Sequence, residues 1–198
     1  LLKIKEKKIE TRPEFEFIHK LICYKAIFRI EDKNFVSAIE LYNQAIMFGD
    51  SIQENYFYNY DCYRGLGVCY DGLALYEASE KMFIKSIEIL KTYKNPVSDD
   101  LIRVLIGYSS FLANSKQYSK GINLIDSYNL LDEQSYSYTK TSLAWNYFVL
   151  NCRNNNYTNA LSFLHSYYIN LKNNLTLNFA FLSNEEKEKY WKKQDFFF

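Results

Sequence analysis

A short pattern occurs four times in this chain and constrains its fold more than any other feature. An aromatic residue follows a polar turn, a small residue comes three positions later, and a bulky residue comes four positions after that. The small residues, which follow one another at spacings of 41, 42 and 39, are Ala38, Ser79, Gly121 and Ala160. Two helices that cross closely need a small side chain where their backbones approach, and the bulky residue fills the gap beside it. The pattern therefore predicts a series of helical hairpins.

Apolar residues recur every three or four positions around this pattern, for example at Ile39, Tyr42 and Ile46, as in an amphipathic helix. The chain has only 6 Gly and 2 Pro, whereas a β-sandwich would need more of both in its turns. We therefore predict an all-α fold. The predicted helix pairs are 14–31 with 34–49, 53–73 with 76–93, 98–114 with 117–130, and 135–154 with 157–175.

The second unit carries the fullest version of the pattern. Its residues are, in order, Leu66-Gly67, Tyr70, Tyr76, Ser79, Phe83 and Ser86. This spacing resembles the tetratricopeptide consensus, in which a Leu-Gly pair is followed by Tyr, a turn aromatic, Ala, an aromatic and Ala. The other units keep only the second-helix half, and their spacing exceeds the roughly 34 residues of the standard repeat. The resemblance implies a right-handed α-α superhelix of about four helical hairpins, with units at about 14–50, 53–94, 98–132 and 135–175.

The C-terminal stretch 178–191 carries a second resemblance. It contains Phe181-Leu182-Ser183, Glu185-Glu186 and Tyr190-Trp191, and it is similar to the junction that follows tetratricopeptide repeats in bacterial CHAT-domain proteins, whose CHAT domain is a caspase-like protease. Ser183 with Glu186 three residues later is also a capping-box pattern. We therefore expect residues 176–198 to form a C-terminal capping helix and a junction to a downstream domain. Residues 1–13 are expected to be the end of a preceding helix or a linker.

Charge and hydropathy argue against two kinds of partner. The chain has 24 Lys and Arg against 23 Asp and Glu, and the two signs are interleaved, so no basic stripe for a nucleic acid is present. No apolar run reaches the length of about 18 residues that predicts a membrane span. We therefore predict neither a nucleic-acid nor a membrane partner.

The residues that carry chemistry do not form a recognisable catalytic pattern. His19 and His165 both lie in helical pattern, and no strand-like run frames a cysteine, so a caspase-like His–Cys dyad is not expected. The four cysteines lack the spacing of a metal site and are interpreted as reduced and structural: Cys23, Cys62, Cys69 and Cys152. We therefore predict a non-enzymatic protein without metal or cofactor, and reduced cysteines favour a cytoplasmic location.

Tetratricopeptide arrays bind partners on the concave face that the first helix of each hairpin lines. On this basis Lys20, Cys23 and Ile27 are predicted to face outward from the first helix. The candidate partner-binding residues on the later units are Asp61, Arg64, Asp71, Arg103, Asn114, Trp145 and Arg153. Ordinary surface charge and a core tryptophan are the alternative interpretation. The family's carboxylate-clamp pattern matches only at Arg103, which argues against a chaperone-tail ligand.

The expected function is that of an interaction or regulatory module that binds a protein or peptide segment, with the parent's own downstream domain as one candidate. The first interpretation is the repeat region of a larger CHAT-protease-type protein. The alternative is the sensor region of a bacterial signalling regulator, such as a histidine kinase or a peptide-responsive transcription factor. An enzyme built on a helical scaffold is the third interpretation.

Overall fold

The computed structural model describes residues 12–51, 57–92, 99–129, 131 and 138–165. This part of the chain is all-α and contains no strand, as the sequence predicts. Residues 157–165, here α8, are also helical. The other helices are α1 (Arg12–Glu31), α2 (Phe35–Asp50), α3 (Asn59–Gly72), α4 (Tyr76–Thr92), α5 (Asp99–Asn114), α6 (Tyr118–Asp126) and α7 (Tyr138–Arg153).

Four turns of the same construction join α1 to α2, α3 to α4, α5 to α6 and α7 to α8. In each, one residue has a positive φ between 56° and 62°: Lys33, Ala74, Lys116 and Asn155. The next amide donates back to the carbonyl five residues earlier, as from Asn34 to Arg29 at 2.8 Å and from Gln117 to Leu112 at 2.8 Å. This is the Schellman arrangement, which satisfies the last carbonyls of a helix. Its recurrence shows that the sequence pattern marks a repeated structural unit.

The small residues of the pattern are buried where each second helix begins. The exposure of Ala38, Ser79 and Ala160 is 0%, and Gly121 is also buried. Ser79 is the one polar member, and its hydroxyl donates to the Gly67 carbonyl of α3 at 2.8 Å. A buried hydroxyl without a partner would cost about 1–3 kcal/mol, so this bond makes serine acceptable at a close helix crossing.

The helices contact one another in chain order. The first helices α1, α3 and α5 pack on their hairpin partners, and the second helices α2, α4 and α6 pack on the first helix of the next hairpin. The first helices α1, α3, α5 and α7 also contact one another in succession. Asn146 of α7 shows how closely, because its side-chain amide donates to the Ser109 hydroxyl of α5 at 2.9 Å and to the Ile106 carbonyl at 3.0 Å.

Two separate clusters of buried side chains hold these helices together. The N-terminal core, between α1, α2 and α3, consists of Cys23, Ala26, Ala38, Tyr42, Ala45, Cys62, Leu66 and Cys69. The C-terminal core extends from α3 to α7 and consists of Tyr60, Phe83, Ile87, Ile89, Leu90, Leu101, Ile102, Val104, Leu105, Tyr108, Phe111, Leu112, Ile122, Ile125, Leu143 and Leu150. The first is built from small side chains and thiols, the second from aliphatic and aromatic ones.

Some predicted boundaries differ from the structure. α3 begins at Asn59 rather than at 53, and Phe57 and Tyr58 form a turn before it. α6 ends at Asp126 rather than at 130, because Asn129 has a φ of 46° that cannot continue a right-handed helix. Residues 12 and 13 belong to α1, whereas 1–11 and the predicted capping helix and junction at 176–198 lie outside the described residues.

Candidate functional site

Asp61 and Arg64, both predicted for the partner-binding face, bind each other on α3. The Arg64 guanidinium approaches one carboxylate oxygen of Asp61 with Nη2 at 2.7 Å and Nε at 2.8 Å. Each side chain is about one-third exposed or less. The two charges therefore neutralise each other at the edge of the solvent, and a ligand would have to compete with this pair.

Asp71 and Asn114 connect two neighbouring hairpins. The Asn114 side-chain amide on α5 donates to Asp71 Oδ2 on α3 at 3.0 Å. Both residues lie at the C-terminal ends of first helices, 43 positions apart in the chain. The structure thus brings these two predicted residues together on one surface.

The other three predicted residues, Arg103 on α5 and Trp145 and Arg153 on α7, are exposed side chains. Trp145 is 56% exposed and packs its ring on Phe148 with centroids 5.4 Å apart. The alternative interpretation of Trp145 as a core residue is therefore wrong.

One side of α1 carries exposed apolar residues. Phe17, Leu21, Tyr24 and Phe28 are 62%, 44%, 59% and 64% exposed. Their spacing of 4, 3 and 4 residues aligns them along the helix, and we call them the α1 stripe. Cys23, predicted to face outward, is only 6% exposed and faces α2 and α3 instead. That prediction was wrong because the first unit lacks the Leu-Gly pair that sets the register in the second.

A buried group of His19, Cys23 and Cys62 lies on the opposite side of α1. Cys23 Sγ is 3.2 Å from Cys62 Sγ and 3.8 Å from His19 Nδ1, and Cys62 Sγ is 3.6 Å from His19 Nε2. Among the residues that the structure describes, these three form a group whose donor atoms lie close enough together to hold a metal ion. One donor atom of each residue lies within 4.8 Å of those of the other two. We call them the His–Cys cluster.

Asn59 and Asp50 fix the orientation of the His19 ring. The Asn59 amide nitrogen donates to the Asp50 carboxylate at 2.8 Å, which turns Asn59 Oδ1 toward His19 Nε2 at 3.0 Å. Because an amide oxygen only accepts, His19 Nε2 carries the proton. The lone pair of the neutral ring is then on Nδ1, the nitrogen nearer to Cys23.

The pKa values of the two thiols in the cluster are shifted in opposite directions. The hydrogen bond between Cys23 and Cys62, together with the nearby His19 ring, lowers the pKa of Cys23 although burial acts against the thiolate. The same bond and burial raise the pKa of Cys62. Burial also disfavours a charged His19, but contacts with Cys23 and Asn59 and the charge of Asp61 outweigh it and raise the pKa of His19.

Sequence reasoning missed this cluster. The available signal was the spacing of His19 and Cys23, one helical turn apart on one side of α1. Their third member lies 39 residues beyond Cys23 on α3. Only the crossing of α1 and α3 shows that the three side chains meet.

No protein-family model matches the chain, and no curated protein matches it with significant similarity. None of the helices in the described part of the chain combines the length and the apolar character needed to cross a membrane.

Proposed function

We propose that this protein is a tetratricopeptide-like interaction module and that the α1 stripe is the surface that binds a helical segment of a partner. The observation that carries the proposal is the two-sided apolar character of α1. Residues 19, 23, 26 and 30 face the N-terminal core, and the stripe is offset from them by two residues, about 200° around the helix. A helix that is apolar on opposite sides is normally covered on both.

The packing order of the other hairpins supports a helical occupant. α3, α5 and α7 each receive the second helix of the preceding hairpin. Within the described residues, α1 has no such preceding neighbour. An amphipathic helix that supplies its own apolar residues at three- and four-residue spacing would pack on the stripe as ridges pack into grooves. Contiguous exposed apolar side chains of this kind commonly mark interaction sites.

The repeated turns, and the order in which successive helices pack on one another, also support the superhelix that the resemblance implies. In such an array the first helices line one continuous face. Asp71 and Asn114 bridge two of them, while Arg103, Trp145 and Arg153 remain exposed. We assign this face a secondary role, because its most central charges, Asp61 and Arg64, already satisfy each other.

The parent protein is proposed to place the module beside a catalytic or signalling domain. The C-terminal resemblance favours a downstream caspase-like protease that the module would restrain or dock. The sensor region of a histidine kinase or of a peptide-responsive transcription factor is the alternative. The open reading frame after residue 198 distinguishes them, since a kinase or DNA-binding domain there would exclude the protease interpretation.

Site-specific crosslinking tests the α1 stripe. A photo-crosslinking phenylalanine analogue replaces Tyr24, and the crosslinked partner peptide is identified by mass spectrometry from a lysate of the source organism. We expect an amphipathic helical segment. The affinity of that segment, made as a peptide, is then measured for the wild type, for Leu21→Glu/Phe28→Glu, and for Arg64→Ala/Arg103→Ala.

The stripe variant should lose at least about 10-fold in affinity, a change of about 1.4 kcal/mol. The Arg64→Ala/Arg103→Ala variant should lose less. Met47→Glu is the matched control, because Met47 is an exposed apolar residue on α2, outside the stripe. Equal affinities for the stripe variant and the control would refute this assignment, and a selective loss in the Arg variant would move the site to the first-helix face.

A further inference from the structure

The His–Cys cluster has the donor set of a metal site. Two thiols and one imidazole nitrogen are soft or borderline ligands, which favour Zn²⁺ or Cu⁺ over Mg²⁺ or Ca²⁺. Zn²⁺ binds sulfur at about 2.3 Å and histidine nitrogen at about 2.0 Å, so its donors lie roughly 3.5–4 Å apart. The 3.8 Å from Cys23 Sγ to His19 Nδ1 fits this range, and the 3.2 Å between Cys23 and Cys62 needs only a small opening.

The surroundings of His19 are those of a metal ligand. Histidines that bind metal donate their second ring N–H to an oxygen acceptor, and that acceptor is itself held in place. Here the acceptor is Asn59 Oδ1 at 3.0 Å, and Asp50 holds the Asn59 amide at 2.8 Å. The chain Asp50–Asn59–His19 therefore leaves the lone pair on Nδ1, the ring nitrogen 3.8 Å from Cys23 Sγ, while the donor atoms of all three residues lie within 4.8 Å of one another. Such a chain is more than a merely buried histidine requires, since one hydrogen bond to any acceptor would satisfy it.

Because the cluster is buried, the net charge of the bound ion together with its ligands distinguishes Zn²⁺ from Cu⁺. His19, Cys23 and Cys62 are 1%, 6% and 0% exposed, and an unbalanced charge at such a depth is costly. A Zn²⁺ ion with two thiolates and a neutral imidazole has no net charge, whereas Cu⁺ with the same ligands leaves one negative charge. The charge balance therefore favours Zn²⁺.

We propose that His19 Nδ1, Cys23 Sγ and Cys62 Sγ form a binding site for Zn²⁺ that joins α1 to α3. Binding forms one Zn–N and two Zn–S bonds, breaks the two S–H bonds and releases two protons to solvent, with no change of oxidation state. Three protein donors leave a fourth coordination position, which in sites of this kind holds water or another small ligand. The site is independent of the proposed partner surface, although it would stiffen the helix that carries the α1 stripe.

Metal titration of the reduced protein tests the proposal. Zn²⁺ is added in the presence of a chromophoric chelator, and Co²⁺ is used as a spectroscopic substitute because thiolate-to-cobalt charge-transfer bands report sulfur ligands. We expect one Zn²⁺ per chain, a Co²⁺ spectrum typical of two thiolates, and a thermal midpoint that rises with Zn²⁺ concentration. Affinity should fall as pH is lowered, because protons compete for the sulfurs.

Variants separate a metal site from a packed thiol pair. Cys23→Ser and Cys62→Ser should lose the charge-transfer bands and the Zn²⁺-dependent rise in thermal midpoint. Asn59→Ala should retain the thiolate spectrum with an affinity about 10- to 100-fold weaker, since it removes only the acceptor that orients His19. Cys69→Ser is the matched control, because Cys69 is equally buried on α3 but outside the cluster.

Three outcomes would overturn the proposal. The first is that wild-type protein binds no Zn²⁺ when fully reduced. This outcome would overturn the proposal even if the same protein forms a Cys23–Cys62 disulfide in air. The second is Zn²⁺ binding without thiolate bands or with unchanged affinity in Cys23→Ser/Cys62→Ser, which would place the ion elsewhere. The third is tight binding of Cu⁺ without binding of Zn²⁺. If the serine variants fail to fold, the wild-type Co²⁺ spectrum and Zn²⁺ stoichiometry still decide the matter.

Discussion

The two cores of this molecule solve the same packing problem with different side chains. In the N-terminal core, Ala26, Ala38 and Ala45 are 0% exposed, and the other buried members are three cysteines, one leucine and one tyrosine. In the C-terminal core, large side chains stack, such as Phe83 on Tyr108 with ring centroids 5.4 Å apart and an interplanar angle of 12°.

This difference has an energetic consequence. Free energy from burial scales with apolar area at about 25 cal/mol per Å², so small residues and thiols contribute less than phenylalanine and leucine. The N-terminal core compensates with close helix approach and with a buried polar network from Asp50 to His19. A buried polar network is specific but costly when incomplete. We therefore expect stability to concentrate in the C-terminal core and specific chemistry in the N-terminal one.

Truncating one fully buried side chain in each core tests that contrast most directly. Phe83→Ala should lower the free energy of unfolding by about 3–5 kcal/mol, because it leaves a cavity among rings that are almost fully buried. Cys69→Ala in the N-terminal core should cost only about 1 kcal/mol. Urea unfolding measures both, and similar losses for the two variants would contradict the proposed distribution of stability.

The close approach where the two cores meet gives the next largest effect. A Cβ on Gly67 of α3 would lie 2.8 Å from the Phe83 ring, which has no room to move. Gly67→Ala should therefore destabilise by about 1–3 kcal/mol, despite the higher helix propensity of alanine. In the double variant Gly67→Ala/Phe83→Leu the clash is relieved. The losses of stability measured for Gly67→Ala and Phe83→Leu alone should therefore add up to more than the loss measured for the double variant. Simple additivity would show that the ring does not limit the approach.

The repeated turns allow a matched comparison of the two halves. Lys33 and Lys116 have φ values of 56° and 61°, a conformation that costs a residue with a side chain about 1 kcal/mol relative to glycine. Lys33→Gly and Lys116→Gly should each raise the free energy of unfolding by about that amount. Asn155→Gly should gain less, because asparagine tolerates this conformation. A loss of stability in either lysine variant would mean that its side chain makes contacts the turn requires.

The smallest expected effect is the pH dependence that Glu80 contributes in the C-terminal half. Glu80 of α4 accepts a hydrogen bond from Tyr108 of α5 at 2.5 Å and pairs with Lys120 of α6. Partial burial works to raise the pKa of Glu80, but these two partners outweigh it and lower the pKa below its ordinary value of 4.5. The folded state therefore gains stability above that value and loses it as pH falls below about 4.5 through the lowered pKa.

Glu80→Gln should remove this part of the pH dependence, with a change smaller than about 1 kcal/mol at neutral pH. Thermal unfolding between neutral and acidic pH measures it. Glu88→Gln is the control, since Glu88 lies on the exposed side of the same helix. If both variants unfold with the same pH profile as the wild type, Glu80 does not connect α4 to α5 and α6 in the manner described.

Local rules explain what could be predicted. Amphipathic spacing and the position of the small residues predicted the all-α fold and the four turns, because both act within one or two helical turns. Boundaries failed where the chain leaves a helix without a strong signal, as before Asn59 and after Asp126. The candidate face was only partly informative, since period alone could not show that Arg64 is satisfied by Asp61 or that Trp145 is exposed.

The sequence by itself determined the repeated hairpin, because hydrogen bonding, helix periodicity and the need for a small residue at a crossing all operate between near neighbours in the chain. Only the tertiary structure decided which polar groups meet inside. His19 and Asn59 are 40 residues apart, and Cys23 and Cys62 are 39 apart. Their meeting depends on how α1 and α3 cross, which is set by packing over the whole interface. The prediction that the cysteines are merely structural was made without that geometry, and the geometry is what supports a zinc site.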